Sequence, residues 1–426
     1  MKVSILTLGC RTNQAESFDI EGALKCAGFD IVAISEAPDL CIINTCAVTA
    51  KADQQSRQLI HKALRYNAKV IVTGCYAELN ADSIKGMEDD IEIIKNSDKN
   101  SIINILTNTY STTPLINIDD PQKTCVYPRH RPIVKVQDGC NYSCSYCTIP
   151  MARGKSRSES YEEIINRIDK YDTGGYKEVV LTGIHLGTYG LDLDPKKSLS
   201  RLLQGILEET TMARIRLSSL EINEINEELL DAISDRRVCN HLHIPLQSGD
   251  DYILKCMNRT YSTRDYINKI EAIIKKFPYI AIGADVIVGF PGEDEESFLK
   301  TCRFIETMPF SYIHVFPYSS RPGTRAASFK YQTPEIIKKQ RVGMLKAIGD
   351  LKRKDYIVKH YDQILEIIVE NKCTEGYIGT SANYIKVLLA DKFDHRQETL
   401  INIRVTGYKN NQALGIPDNS LQPINI

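Results

Sequence analysis

The apolar positions of the first 111 residues fall in short runs separated by stretches with helical spacing. Residues 3–8, 40–44 (LCIIN), 70–73 and 91–95 read as strands, and residues 15–26, 52–66 and 82–87 as helices between them. Strands that alternate with helices of this length imply a parallel sheet covered on both faces. Ligands of such sheets collect at the carboxyl ends of the strands. Residues 112–131 carry few apolar positions and several turn formers and read as a linker. The alternation resumes at residue 132, with strands expected at 133–137, 178–182, 214–218, 241–245, 280–288 and 312–316. Six such units predict a partial (β/α)6 barrel with its chemistry at the strand C-termini. Residues 335–355 read as one long charged helix, after which the period changes to two. The runs ILEIIVE, YIKVLLA and LINIRVTGY predict about five short strands closing into a small β-barrel of the oligonucleotide-binding (OB) kind. The expected fold class is therefore α/β: an N-terminal parallel α/β sandwich (1–111), the central partial barrel (132–358) and a C-terminal small β-barrel (359–426).

Composition narrows the class. The 426 residues are 42% hydrophobic, and 53 Lys and Arg against 54 Asp and Glu give a net charge of −1. A uniformly polycationic nucleic-acid binder is excluded, although a local basic face is not. No stretch approaches the roughly 20 apolar residues of a membrane span. The opening MKVSILTLGC reads as a buried strand rather than a secretory signal, so we expect a cytoplasmic protein without a membrane partner.

Thirteen cysteines, an odd number, argue for thiols or metal ligation rather than a disulfide framework. Cys26, Cys41, Cys125, Cys239, Cys256, Cys302 and Cys373 sit singly among apolar or helical neighbours, where cysteine is a small hydrophobe. Cys10, Cys46 and Cys75 each follow one of the first three long strands by a residue or two, so a parallel sheet would gather them at one edge. Cys140, Cys144 and Cys147 form a CxxxCxxC loop directly after the strand at 133–137. Three thiolates in one tight loop can hold three irons of a 4Fe-4S cluster and leave the fourth open to a substrate. Structural zinc is the alternative, although it ordinarily takes four protein ligands and no second CxxC lies nearby.

On that loop the chain resembles the radical S-adenosylmethionine enzymes. The resemblance implies that the open iron chelates S-adenosylmethionine, whose reductive cleavage yields a 5′-deoxyadenosyl radical. Groups at the barrel strand ends then become cofactor contacts: Thr182 and Gly183 for the methionine amino group, Glu221, Gln247 and Ser248 for ribose or carboxylate, and Asp285 with the run from Ile287 to Glu293, Val288 and Gly289 among it, as an apolar ledge for adenine. Together with LGCRTNQAES, IINTCAVTAKAD, VTGCYAEL, IPMARGKSR, GFPGE and VFPYSSRPGT, the chain resembles the methylthiotransferases over essentially its whole length. Met151 stands where that family usually has tyrosine. The resemblance implies that Cys10, Cys46 and Cys75 hold a second 4Fe-4S cluster and that the tail is a TRAM domain. It also implies conversion of a C–H bond into C–S–CH3, with S-adenosylmethionine as both methyl donor and radical source. A reductant such as flavodoxin or ferredoxin and a sulfur source are implied as partners.

Charge placement bears on the substrate. Residues 123–157 hold seven Lys and Arg against one acidic residue, and residues 321–359 hold eleven against three. A polyanion at the barrel mouth would meet both, which makes Arg153, Lys155, Arg157, Arg321 and Arg325 candidate RNA contacts; on the tail, itself nearly neutral, contacts would rest on the single cation Lys386 and on Tyr377 and Tyr384 as stacking rings. VQDGCNYSCSYC, VVLTGIHLGTYG and HVFPYSSRPGT most resemble the branch that acts on N6-threonylcarbamoyladenosine beside the tRNA anticodon. Its substituent carries a carboxylate that a cation near Arg153 or Lys155 would suit, and a single-stranded anticodon loop can splay its base outward. The competing readings are N6-isopentenyladenosine in tRNA, an aspartate of a ribosomal protein, and an RNA-binding protein with purely structural metal.

Overall fold

The computed structural model describes residues 1–88, 90–99, 101–110, 130–390 and 399–418. Cys125 and nearly all of the expected linker lie outside them. The chain divides into two compact units, Met1–Ile164 with Thr182–His185 and Ser319–Ala327, and Ile165–Leu181 with Leu186–Tyr318 and Ser328–Ile426. This division differs from the expected domains, since residues 132–164 group with the N-terminal sheet and the tail groups with most of the barrel.

The first unit opens with β1 (Lys2–Thr7), α1 (Arg11–Cys26), β2 (Asp30–Ile31), β3 (Leu40–Thr45), α2 (Ala50–Leu64), β4 (Lys69–Gly74), α3 (Cys75–Leu79), α4 (Ala81–Lys85), β5 (Glu92–Ile93) and α5 (Ser101–Tyr110). The strands form one parallel sheet in the order β2-β1-β3-β4-β5. All six positions of β3 are buried, which is why its sequence is a continuous apolar run rather than an alternating one. Ile42, Ile43 and Val72 are wholly buried, each worth about 1.5–3 kcal/mol of transfer free energy. The two-residue β2 and the Asn- and Thr-rich α5 lacked a readable period; α5 is held by Ile102 and Leu106 packing on the sheet. The unit continues with β6 (Ile133–Lys135), β7 (Gln137–Asp138), α6 (Ile149–Arg153) and β8 (Arg157–Ser158).

The second unit holds α7 (Tyr161–Thr173) from Ile165 onward, β9 (Glu178–Thr182) up to Leu181, α8 (Leu199–Glu209), β10 (Arg214–Leu217), α9 (Glu227–Ile233), β11 (His241–His243), α10 (Asp251–Cys256), α11 (Thr263–Lys276), β12 (Ala281–Val288), α12 (Glu295–Thr307) and β13 (Tyr312–Pro317). Its strands are parallel from β9 to β13, with β10 joined to β11 by the bridges Ile215–Val238 and Ser219–His243. The long helix α13 (Glu335–Val358) leads to β14 (Ile364–Cys373), β15 (Gly376–Ser381), β16 (Lys386–Ala390), β17 (Leu400–Lys409) and β18 (Gln412–Pro417). These five strands close into a barrel in the order β14-β15-β16-β18-β17 around Ile367, Val369, Val387, Leu389, Ile403 and Val405.

The tail is fastened to β10. Arg216, wholly buried, pairs with Glu178 (2.7 Å) and donates to the carbonyls of Ser381 and Ala382 (3.0 Å each). Tyr384 stacks on His241 with ring centroids 4.4 Å apart, and Tyr377 is buried in the barrel core. Neither tyrosine is therefore an open stacking platform for a nucleobase, and the expectation that they contact RNA is corrected: their faces are already occupied by protein.

Candidate metal centre

The register of the first sheet pairs Thr7 with Asn44 and Thr45 with Gly74, so β1, β3 and β4 end in one row and deliver Cys10, Cys46 and Cys75 there. Order 2-1-3-4-5 places the ligand crevice where the winding reverses, between β1 and β3. Cys10 and Cys46 follow those two strands. Cys10 is exposed and is the residue from which α1 starts, with an extended backbone at φ −72° and ψ 173°. Helix α1 thus begins four residues earlier than its apolar spacing suggests. Cys46 and Cys75 are buried. Gly9 has φ +104°, and a Cβ there would lie 2.8 Å from Cys46 Cβ, so this glycine gives Cys46 its place. Asn13 Nδ2 donates to the carbonyls of Leu8 (2.8 Å) and Thr45 (2.9 Å), tying the two strand ends together. Burial, with the nearby thiols of Cys10 and Cys75, pushes the Cys46 thiol up to about 12; burial likewise raises Cys75, against the pull of Arg153. Thiols must lose their protons to ligate, so a metal held here would release protons on binding.

The CxxxCxxC loop leaves β7 through Gly139 (φ +72°), whose bare Cα faces the Lys155 carbonyl; a Cβ would come within 2.1 Å of that oxygen. Cys140 N–H donates to the Gly154 carbonyl (3.1 Å), and Cys147 N–H to that of Cys144 (3.1 Å). Cys140 Sγ accepts the Tyr142 N–H (3.3 Å) and meets His185 Nδ1 at 3.4 Å; Cys147 Sγ accepts the Ile149 N–H (3.5 Å). Gln137 fixes the turn from both sides, donating to the Gly139 carbonyl (2.8 Å) and accepting from His185 N–H (2.8 Å). Residues 319–327 close over this region: Ala326 N–H donates to the Ser145 carbonyl (2.8 Å), Arg325 to that of Ser143 (3.0 Å), and Arg321 to Asp53 Oδ2 on α2 (2.6 Å).

Arg153, the last residue of α6, joins the two cysteine sets. It is buried and bonds Cys75 Sγ (3.4 Å), Glu16 (2.8 and 3.1 Å), Asp138 (2.7 Å) and Asn13 (2.5 Å). Glu16 also pairs with Lys99 and with Lys135 (3.4 Å).

The donor chemistry fits iron–sulfur clusters better than zinc. Four thiolates about 2.3 Å from one zinc would stand roughly 3.8 Å apart. Among the described residues, ligand atoms of three His, Cys, Asp or Glu lie within 4.8 Å of one another only at His243, Asp285 and His314. Neither cysteine triplet closes around a single ion, whereas a cluster takes each thiolate on its own iron. The histidine set is a satisfied hydrogen-bond chain in the second unit. Both imidazoles address the same Asp285 oxygen (3.0 and 3.2 Å), and Tyr312 Oη links His243 (3.0 Å) to His241 (2.8 Å). Against burial, the two imidazoles hold the Asp285 carboxyl well below the usual range.

The other expected contacts divide. Glu221 is engaged by Arg259, Ser248 bonds Thr301 Oγ1 (3.3 Å) and the Asp250 N–H (3.2 Å), and Asp285 carries the two histidines. Val288 is wholly buried, and so is Phe290 of GFPGE; Gly289 N–H is held by Glu293 (2.8 Å). The expected adenine ledge there is corrected: these residues face protein. Thr182 is buried, whereas Gly183 and Gln247 are half-buried. Of the RNA candidates, Lys155, Arg157 and Arg325 are exposed and Lys386 half-exposed beside Glu370. Arg153 and Arg321 are corrected, because both are buried in ion pairs. Asn13, Glu16, Asp53, Lys99, Asp138 and His185 escaped the sequence reading. For Asn13 and Glu16 a signal existed: they lie three and six residues after Cys10, on one face of the helix it starts.

Two family models match the chain, the Radical SAM superfamily over residues 134–305 and an uncharacterized protein family, UPF0004, over residues 2–95. The chain is 38% identical to threonylcarbamoyladenosine tRNA methylthiotransferase MtaB of Aquifex aeolicus, covering 89% of this chain and 96% of that protein. It is 36% identical to the protein of that name in Bacillus subtilis, over 96% and 95%. In fold it is similar to the radical S-adenosylmethionine methyltransferase TsrM of Kitasatospora setae, with a TM-score of 0.57 and 14% identity over 76% of this chain and 77% of that one.

Proposed function

The chain belongs to the methylthiotransferase family of radical S-adenosylmethionine enzymes, and from that premise we propose that it methylthiolates C2 of N6-threonylcarbamoyladenosine beside the anticodon of tRNA. The observation that supports this most is the presence in one compact unit of two cysteine triplets, each too open for a single ion, with Arg153 bonded to Cys75 of one and to Asp138 on the strand that leads into the other. Cys140, Cys144 and Cys147 would hold the radical cluster, and Cys10, Cys46 and Cys75 the auxiliary one. When bound, S-adenosylmethionine and the clusters supply a carbon-centred radical, a methyl group and sulfur, which an adenine C–H without useful acidity requires.

The chain's own residues bind and orient. The Tyr142 N–H and His185 address Cys140, and the Ile149 N–H addresses Cys147; such contacts to sulfur tune a cluster. Of the sequence-named cofactor contacts, Gly183, Glu221, Gln247 and Asp285 are half-buried at strand ends, Glu221 being also engaged by Arg259 and Asp285 by the two histidines. Exposed Lys155, Arg157 and Arg325 flank the cysteine loop and suit phosphates and the threonyl carboxylate. A reductant of the flavodoxin or ferredoxin class and a sulfur donor complete the turnover.

The test compares nucleosides of tRNA from cells with and without the gene. Loss of 2-methylthio-N6-threonylcarbamoyladenosine is the expected result; loss of the isopentenyl analogue instead moves the chain to the sister branch. In vitro, Cys46→Ala should still cleave S-adenosylmethionine yet transfer no sulfur, and normal thiolation by this variant overturns the auxiliary assignment.

A further inference from the structure

A guanidinium has five N–H donors in a fixed fork, and at Arg153 all five are directed. Nε bonds Cys75 Sγ, Nη1 bonds Glu16 and Asp138, and Nη2 bonds Asn13 and Glu16. The side chain is wholly buried, so this orientation does not compete with water. The surrounding charges are unbalanced in a useful sense. Arg153, Lys99, Lys135 and Arg157 oppose Glu16, Asp138 and Glu159, leaving one positive charge in the network that places Arg153 beside the Cys75 thiol. That surplus matches a Cys75 thiolate. Among the described residues no other side-chain donor reaches the sulfurs of Cys10, Cys46 and Cys75, so one corner of the triplet is electronically distinct from the other two.

We propose that Arg153 is a positioning residue that tunes the auxiliary cluster through Cys75. Its N–H···S bond and charge stabilise the more negative, reduced form and so raise that cluster's reduction potential. Because Arg153 ends α6, six residues after Cys147, and bonds Asp138, two residues before Cys140, the tuning group is carried by the helix that directly follows the cysteine loop. The inference rests on the reading that Cys10, Cys46 and Cys75 hold a cluster.

The full-length chain with Cys140, Cys144 and Cys147 all changed to Ala isolates the auxiliary cluster. If this protein, with Arg153 intact, takes up no iron after anaerobic reconstitution, the auxiliary-cluster reading fails irrespective of Arg153. If it takes up about four irons, an EPR-monitored redox titration is run on it and on the same protein carrying Arg153→Gln or Arg153→Lys. The expected result is a midpoint shifted to lower potential in Arg153→Gln, with a smaller shift in Arg153→Lys, which keeps the charge without the fork. Iron retained at an unchanged midpoint in either variant overturns the proposal. Loss of the iron from both variants also overturns it, since Arg153 is then a structural strut and nothing more.

Discussion

Gly9 carries no side chain because Cys46 occupies the space that one would need. Its positive φ and the 2.8 Å approach to Cys46 Cβ make Gly9→Ala a local test of the auxiliary site. Strain of about 1–3 kcal/mol should displace Cys46 and lower the iron content after reconstitution from about eight to about four per chain; an undiminished iron count would mean that Cys46 is not a ligand. Glu16 sets a pH dependence at the same scale. Burial alone would raise its carboxyl, but Arg153, Lys99 and Lys135 more than reverse that and hold it well below the ordinary 4.5. A carboxylate depressed in the folded state contributes stability that is present above pH 4.5 and is lost as pH falls toward the folded value. Urea unfolding at pH 7 and at pH 4 should therefore differ in the parent protein and differ less in Glu16→Gln. At pH 7 that variant should lose roughly 3–5 kcal/mol, because buried cations are left without their partner. Gly9 reads in the sequence as an ordinary turn, and Glu16, whose spacing from Cys10 was its one signal, reads otherwise as a solvated helix face.

At the level of elements, the apolar spacing marked the existence and type of the long strands and helices, and local capping moved their ends. Helix α1 starts at Arg11 because Cys10 takes up an extended backbone, and α3 starts directly at Cys75 after Gly74. Residues 319–327 carry little periodicity, yet they clamp α2 to the cysteine loop through Arg321–Asp53 and Ala326–Ser145. Arg321 is only 5% exposed, so Asp53→Ala should cost roughly 3 kcal/mol by leaving a buried guanidinium unpaired. Faster amide exchange over residues 319–327 should accompany the loss. Unchanged stability and exchange would mean that the clamp does not hold this segment.

At the level of the molecule, the question is how a nearly neutral OB-like barrel is kept on an enzyme. Arg216 supplies one bond set to Glu178 and another to the carbonyls of Ser381 and Ala382, with Tyr384 under its guanidinium at 5.3 Å. Arg216→Ala should therefore cost roughly 1–3 kcal/mol, because the carbonyls of Ser381 and Ala382 lose their donor while Glu178 keeps its pair with Arg214 (2.8 Å), and open the chain near residues 359–364 to limited proteolysis. Resistance equal to the parent would show that α13 alone fixes the tail. The sequence revealed the five tail strands but not this attachment, since Arg214 and Arg216 alternate with apolar residues like any solvent-facing strand positions.

What the sequence determined by itself is what nearest neighbours along the chain encode. The CxxxCxxC loop, the βα alternation with cysteines at three strand ends, and the switch to period two in the tail all depend on residues a few positions apart. What the tertiary structure alone decided is which charges are spent inside the protein. Arg153 meets Glu16 across 137 positions and Arg321 meets Asp53 across 268. A basic residue within a basic run looks like surface until a carboxylate from a distant element is folded against it. Removing both ions from water is tolerable only when the pair is made, and only the fold brings the partners together.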